Sequence, residues 1–412
     1  MNIKIHQRNY NSISLICLAL IVGLSSFGCV ETFDFESEVE SFESTLVVEA
    51  TITNELKQQK ILISRSFPLD TILHSPERNA NVKVVDDAQN EYVFHETESG
   101  TYISITEFNA QSNREYKLLI TTSDGSSYAS NPENLTQTTG IDNLYALRDF
   151  NENNDEGMSI YVDSYDSTGN SRFYRYTYVE TFKIIAPKWS ILDLVPVSLN
   201  PPEVRFETKS EEQQICYGTS QSNAIILANT TNFIEDRLEK QRVHFINRNN
   251  YVLSHRYSIL VRQYVQSGAA HAFYRALKEI SESESLLTQT QPGFLLGNMH
   301  SEQSEDERVL GYFEVSSVTS KRMFFNYADL FPGEVLPPYA ISCSGLFAPA
   351  LATPAIPPAS PLIEHLNRGF KYSEDNPEPG GVNGPGNYLL VQPKCGDCRT
   401  LGSNIVPDFW IE

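Results

Sequence analysis

The chain has 412 residues and carries 52 Asp and Glu against 31 Lys and Arg, for a formal net charge of -21. That balance, without any basic patch, excludes nucleic acid as a partner, because phosphate recognition needs clustered Lys and Arg. At 40% hydrophobic residues the chain can bury ample core, and 22 Phe and 21 Tyr beside two Trp and four Met favour strands over helices.

Lys4 and Arg8 precede an apolar run from Ile13 to Leu24, and Ser25, Ser26, Phe27 and Gly28 follow it. Residues 1–28 therefore read as a secretion signal whose core is too short for a transmembrane helix. Cys29, placed directly after small residues, is the expected acylation site of a lipoprotein. A covalent lipid on Cys29 is then the chain's membrane contact, and no other cofactor is expected. The fit departs from the common lipobox, since Leu24 stands five places before the cysteine and not three. An ordinary cleaved signal with an incidental cysteine is the alternative.

Residues 29–44 form an acidic tether, with Glu31, Asp34, Glu36, Glu38, Glu40 and Glu43 and no base. Such a segment repels itself and stays solvated, holding a folded body off a membrane. It also resembles the export signal that places some bacterial lipoproteins on the outer face of the outer membrane, and a plain acidic linker is the other reading. The expected location is the outer membrane, lipid-anchored at the cell surface, with the periplasmic face as the alternative.

From 45 to 135 the runs TLVVEATITN, KILISRSFPL, ANVKVVDD, EYVFHE, GTYISIT, REYKLLITT and SSYAS alternate between Asn, Asp, Gly, Ser or Pro turns. Their spacing predicts an immunoglobulin-like β-sandwich, with Tyr116 as a candidate corner tyrosine. A break at 131–140, NPENLTQTTG, precedes a larger antiparallel β domain over 140–412, a sandwich or open barrel. Its strands include MSIYVDSYD, SRFYRYTYVETFKII, paired runs around Val243 to Ile246 and Tyr257 to Val265, VLGYFEVSSV, and KRMFFNYA. The fold class is thus all-β. In SRFYRYTYVETF an aromatic face of Phe173, Tyr174, Tyr176, Tyr178 and Phe182 reads as core, with a ligand platform as the sharper alternative. One helix is predicted over 268–281 from Ala269, Ala270, Phe273, Leu277 and Ile280, with Arg275, Lys278 and Glu279 facing water. Residues 331–394 are rich in Pro and Gly and predict an irregular segment that returns to the apolar strand YLLVQP.

Cys216, Cys343, Cys395 and Cys398 are an even set in an exported chain and are expected to form two disulfides, whose pairing the sequence leaves open. A four-cysteine zinc site usually needs two close pairs, and only the Cys395/Cys398 pair is close. No metal site is expected. Catalytic signatures are missing: there is no G-x-S-x-G, H-E-x-x-H or P-loop, and His74, His95, His244, His255, His271, His300 and His365 are scattered. Asp149, Asn151, Asn153 and Asp155 imitate the start of a calcium loop, but Glu156 stands at the glycine position and Val162 at the bidentate glutamate position. The chain therefore reads as a non-enzyme.

LVVEATITNE, TSDGSSYAS, GNMHS followed by VLGYFEVSSV, and the terminal YLLVQPKCGDCRTLGSNIVPDFW resemble the domain of unknown function 4249 family of exported bacterial lipoproteins. That resemblance implies a gene neighbourhood with TonB-dependent outer-membrane receptors, and so an accessory or ligand-binding role at such a receptor; it carries over no catalytic residue. The alternatives are a surface hydrolase with a dispersed active site and a structural or adhesive surface protein.

Overall fold

The computed structural model describes residues 44–66, 75–282, 295, 297–354 and 359–412. The signal, Cys29 and the acidic tether up to Glu43 lie outside the described residues, as do His74, Pro357 and Pro358. Strands dominate. In the first region they are β1 (Leu46–Thr53), β2 (Lys60–Arg65), β3 (Ser75–Pro76), β4 (Asn81–Asp86), β5 (Glu91–Glu98), β6 (Thr101–Ser104), β7 (Glu115–Thr121), β8 (Ser127–Ser130) and β9 (Glu133–Asn134). Alternation drives them: Leu46, Val48, Ala50 and Ile52 of β1, Val82 and Val84 of β4, and Tyr116, Leu118 and Ile120 of β7 all point into one buried core. The Tyr116 hydroxyl accepts from the Gln111 N–H at 2.8 Å, which makes it the corner tyrosine its position suggested.

The second region adds β10 (Asn143–Phe150), β11 (Glu156–Asp166), β12 (Phe173–Ile185), β13 (Leu192–Leu199), β14 (Pro202–Thr208), β15 (Ile215–Gln221), β16 (Ile226–Asn229), β17 (Asp236–Asn247), β18 (Arg256–Val265), the helix α1 (Gly268–Glu282), β19 (Met299–Ser301) and β20 (Val309–Asn326). A three-stranded sheet, β10-β11-β17, faces the sheet holding β15, β12, β18 and β20. Met158, Ile160 and Val162 meet Tyr174, Tyr176, Tyr257 and Ile259 in the core between them. The architecture is an all-β sandwich, and among the described residues none of its sheets closes into a barrel.

VLGYFEVSSV and KRMFFNYA read as separate strands in the sequence but form the single strand β20. Its first half pairs in parallel with β1 and its second half antiparallel with β18. The hydrogen-bonded path from β15 to β19 is therefore continuous across the break at 131–140. Gly311 permits this junction: its φ is 121°, and a Cβ there would collide with the Val48 carbonyl oxygen. The runs around Val243 to Ile246 and Tyr257 to Val265 are not partners. β17 pairs with β11, and β18 lies between β12 and β20. A single helical turn, Tyr251–Leu253, with Val252 and Leu253 buried, carries the chain from one sheet to the other.

The 331–394 segment is more ordered than its composition predicts. Pro361 opens the helix Pro361–Asn367 at its first position, where a missing N–H costs nothing, and Ser360 Oγ caps it by accepting from the Ile363 N–H at 3.2 Å. β21 (Lys371–Asp375) then pairs with β22 (Tyr388–Val391). Leu362, Tyr372 and Leu390 form a small core with Leu194 of the β13–β14 hairpin.

Candidate functional site

The outward face of the sheet holds a cleft. Because side chains alternate, Val47, Glu49 and Thr51 of β1 point away from the core, with Leu310, Tyr312 and Glu314 of β20 beside them in register and Leu62 of β2 opposite Glu49. Phe273, Tyr274 and Leu277 of α1 cover one side of this face, and Leu295 adds to the wall. The cavity left open is about 550 Å³, lined mainly by apolar side chains together with Lys60, Glu49 and Arg175. Ala269 and Ile280, expected on the buried stripe of α1, are exposed, and the stripe runs through Ala270, Phe273, Tyr274 and Leu277.

A buried polar chain ends at this cleft. Arg175, on the odd-numbered face of β12, donates to Glu314 Oε2 at 2.8 Å, and its guanidinium lies over the rings of Tyr264 at 4.3 Å and Tyr274 at 4.7 Å. Glu314 is 1% exposed; Gln266 donates to its Oε1 at 3.0 Å and Thr51 to its Oε2 at 3.3 Å. His271 is buried, with Nδ1 3.3 Å from the Gln266 carbonyl oxygen and its ring against Phe173. Burial, the largest single influence, pulls the Arg175 guanidinium down, but the Glu314 charge and hydrogen bond together with Tyr274 and Tyr264 outweigh it and the net shift is upward. Burial pushes the Tyr274 phenol up to about 12, so it remains a neutral donor. Arg175 Nε is buried and has no hydrogen-bond partner among the described residues. On the neighbouring side, Tyr312 donates to Glu133, whose carboxyl is held above its usual range by burial.

A second cluster lies between the two sheets. The Tyr178 hydroxyl is 2.8 Å from His244 Nδ1, His244 Nε2 is 3.4 Å from Glu180, and Tyr257 donates to Glu180 at 2.6 Å. Burial alone would raise Glu180, yet hydrogen bonds from His244 and Tyr257 hold it low. Tyr178 and His244 line a shallow groove of about 300 Å³ with Ile225, Ile226 and Lys278.

The aromatic face of β12 is core: Tyr174 and Tyr176 are buried, donating to Asp236 at 2.8 Å and Gln263 at 3.0 Å. Phe173, at the other parity, packs under α1. Asp149 to Asp155 form a β-turn region in which Asn151 Oδ1 accepts from the Asn153 and Asp155 N–H groups. Among the described residues no group of His, Cys, Asp or Glu is arranged to hold a metal, and no helix is long and apolar enough to cross a membrane.

The four cysteines pair as Cys216–Cys398 and Cys343–Cys395, with Cα separations of 5.6 and 5.7 Å. The first bridge ties β15 to the C-terminal segment, where the Tyr217 and Ser403 backbones also pair. The second ties the start of the Pro-rich segment to its end. Sequence reasoning missed Arg175, Gln266 and Glu314. The signal for two of them was present, since Arg175 in FYRYTY and Glu314 in GYFEVSS are single charges inside otherwise apolar or aromatic strand runs.

A search of curated proteins finds no match to the chain. Residues 30–322, well over half of the chain, match the family model described as "Domain of unknown function (DUF4249)". The matched span contains every residue that lines the cleft, and the chain belongs to the DUF4249 family.

Proposed function

We propose that the chain is an outer-membrane lipoprotein, anchored through Cys29, that serves a TonB-dependent outer-membrane receptor as a non-catalytic ligand-binding or accessory subunit. The observation that carries the binding half is the cleft beside α1: a concave, mostly apolar surface with a few convergent polar groups is the usual form of a small-molecule site. The resemblance to exported lipoproteins of the family supports the anchor and the receptor partner. Val335 and Val382 are 88% and 100% exposed in the Pro- and Gly-rich segment, Val335 ahead of the loop that the Cys343–Cys395 bridge closes and Val382 within it. Exposed apolar side chains on such a segment suit a protein contact. Capture of the lipidated, full-length chain from detergent-solubilised outer membranes tests the reading: a TonB-dependent receptor is the expected partner, and its consistent absence refutes the role.

A second reading, a surface hydrolase, is favoured by the Tyr178–His244–Glu180 line, which has the donor–imidazole–carboxylate order of a nucleophilic relay. It ranks below the first because burial pushes the Tyr178 phenol up to about 12, which opposes formation of a nucleophilic phenolate.

A further inference from the structure

Helix α1, one wall of the cleft, is held to the sheet by few side chains. Of its 15 residues only Ala270, His271 and Phe273 are buried, with Tyr274 and Leu277 partly buried beside them, so the helix can detach without unfolding the strands beneath it. His271 is the titratable member of that set. It is 4% exposed near the start of α1, where Ser267 Oγ caps the helix by accepting from the Ala270 N–H at 3.1 Å. Its partner is Gln266, whose Nε2 donates to Glu314 Oε1 and whose carbonyl oxygen is therefore the atom 3.3 Å from His271 Nδ1. Nδ1 then carries the hydrogen of the neutral ring. A second proton would go on Nε2, for which the described residues supply no acceptor.

The surroundings of the ring oppose that proton. Burial and the Arg275 charge, one turn along the same helix, hold the imidazole below its usual range. The positive end of the helix dipole acts in the same sense. From β12 the ring meets the uncharged Phe173, with centroids 5.0 Å apart. β20 contributes Tyr312, a phenol that burial keeps neutral and that donates to Glu133 of β9, and Glu314, which lies beyond Gln266 and is already paired with Arg175 at 2.8 Å. We propose that α1 is an acid-released wall of the cleft: a neutral His271 keeps the helix closed on the sheet, and protonation of His271 detaches it and opens the face that Phe273, Tyr274 and Leu277 cover. As regulation of the cleft this rests on the ligand-binding reading above, whereas the movement of α1 is measured without any ligand. Once α1 is detached, His271 is solvated and titrates near its ordinary value of about 6.5. The closed state is therefore fully favoured above that pH and loses ground as pH falls below it, by up to about tenfold per pH unit.

Hydrogen exchange of the purified full-length chain, read by mass spectrometry and corrected for the intrinsic pH dependence of exchange, tests the proposal. Between about pH 7.5 and about pH 5.5, peptides from α1 should lose protection by roughly threefold to tenfold, while those from β12, β18 and β20 keep theirs. His271→Gln, which retains a donor for Gln266 but does not titrate, should abolish the loss in α1. His255→Gln, which removes the other depressed histidine, should leave that loss in place. Unchanged protection of α1 in the natural chain, an equal loss in the sheet strands, an undiminished loss in His271→Gln, or its disappearance in His255→Gln overturns the proposal. If His271→Gln does not fold, the comparison of α1 with the sheet and the His255→Gln variant still decide. A receptor captured at neutral pH with no acid response in α1 would sink this inference alone, whereas the acid response without any receptor would sink only the receptor role.

Discussion

Glu314 is placed where a carboxylate is hardest to keep, in the middle of a strand, 1% exposed, with Arg175 as its counter-charge. The energetic weight of such a pair is felt when one partner is removed, because the other is then a buried charge without compensation. Glu314→Ala is expected to destabilise the fold by about 3 to 5 kcal/mol, measured by denaturant unfolding, and a loss below about 1 kcal/mol would mean the pair is solvated. The titratable groups set the pH response. Burial, with the Arg275 charge, holds His271 below its usual range, and burial with Lys183 does the same for His255. The unfolded chain then takes up protons near pH 6.5 before the folded chain does. Their contribution is complete above that pH and is lost as pH falls below it. Burial alone would raise Asp166, Glu180 and Asp397, but hydrogen bonds hold all three low, so their contribution is lost in a second stage below about pH 4. Glu133, held up by burial, opposes this weakly in acid. A His255→Gln, His271→Gln double variant should flatten the stability profile between about pH 6.5 and 5; an unchanged slope there would show that the histidines are not responsible.

The strands of the first region were legible because one face is buried and the other wet, so the period of two is printed in β1, β4 and β7. Other elements were hidden for identifiable reasons. The β13–β14 hairpin carries Pro196 and exposes Val197, Leu199 and Phe206, so neither its pattern nor its breakers signal a strand. The helix Pro361–Asn367 begins at a proline in a stretch where prolines otherwise end structure. The cleft was illegible because its polar chain joins positions 139 and 48 residues apart, Arg175 with Glu314 and Gln266 with Glu314, and only the fold brings them together. The disulfides were legible in number but not in pairing, since four cysteines allow three pairings and spacing alone selects none. Cys343–Cys395 spans 52 residues, and removing it by Cys343→Ser with Cys395→Ser should cost about 4 kcal/mol of unfolding free energy in a chain-entropy treatment. Unfolding in guanidinium with both bridges intact and with this one deleted measures the difference, and equal midpoints would contradict it.

At the scale of the whole molecule, one continuous strand path links the N-terminal region to the C-terminal sandwich through β20, and the cleft is lined by both sequence regions. For the anchor, Cys29→Ser should move the protein from the membrane pellet to the soluble fraction, since stable attachment takes two or more acyl chains and the variant would carry none. Persistence of the variant in the pellet would refute acylation at that site. For the partner, Val335→Asp with Leu336→Asp should weaken receptor recovery without lowering the melting temperature, because both side chains are exposed.

Quantitative capture tests the receptor role most directly. Full-length lipidated chain, crosslinked in intact cells and purified under denaturing conditions, should carry a TonB-dependent receptor as its major crosslinked partner, at a yield reduced by Val335→Asp with Leu336→Asp. Recovery of other surface proteins in place of a receptor, with the chain folded and membrane-bound, would contradict the account.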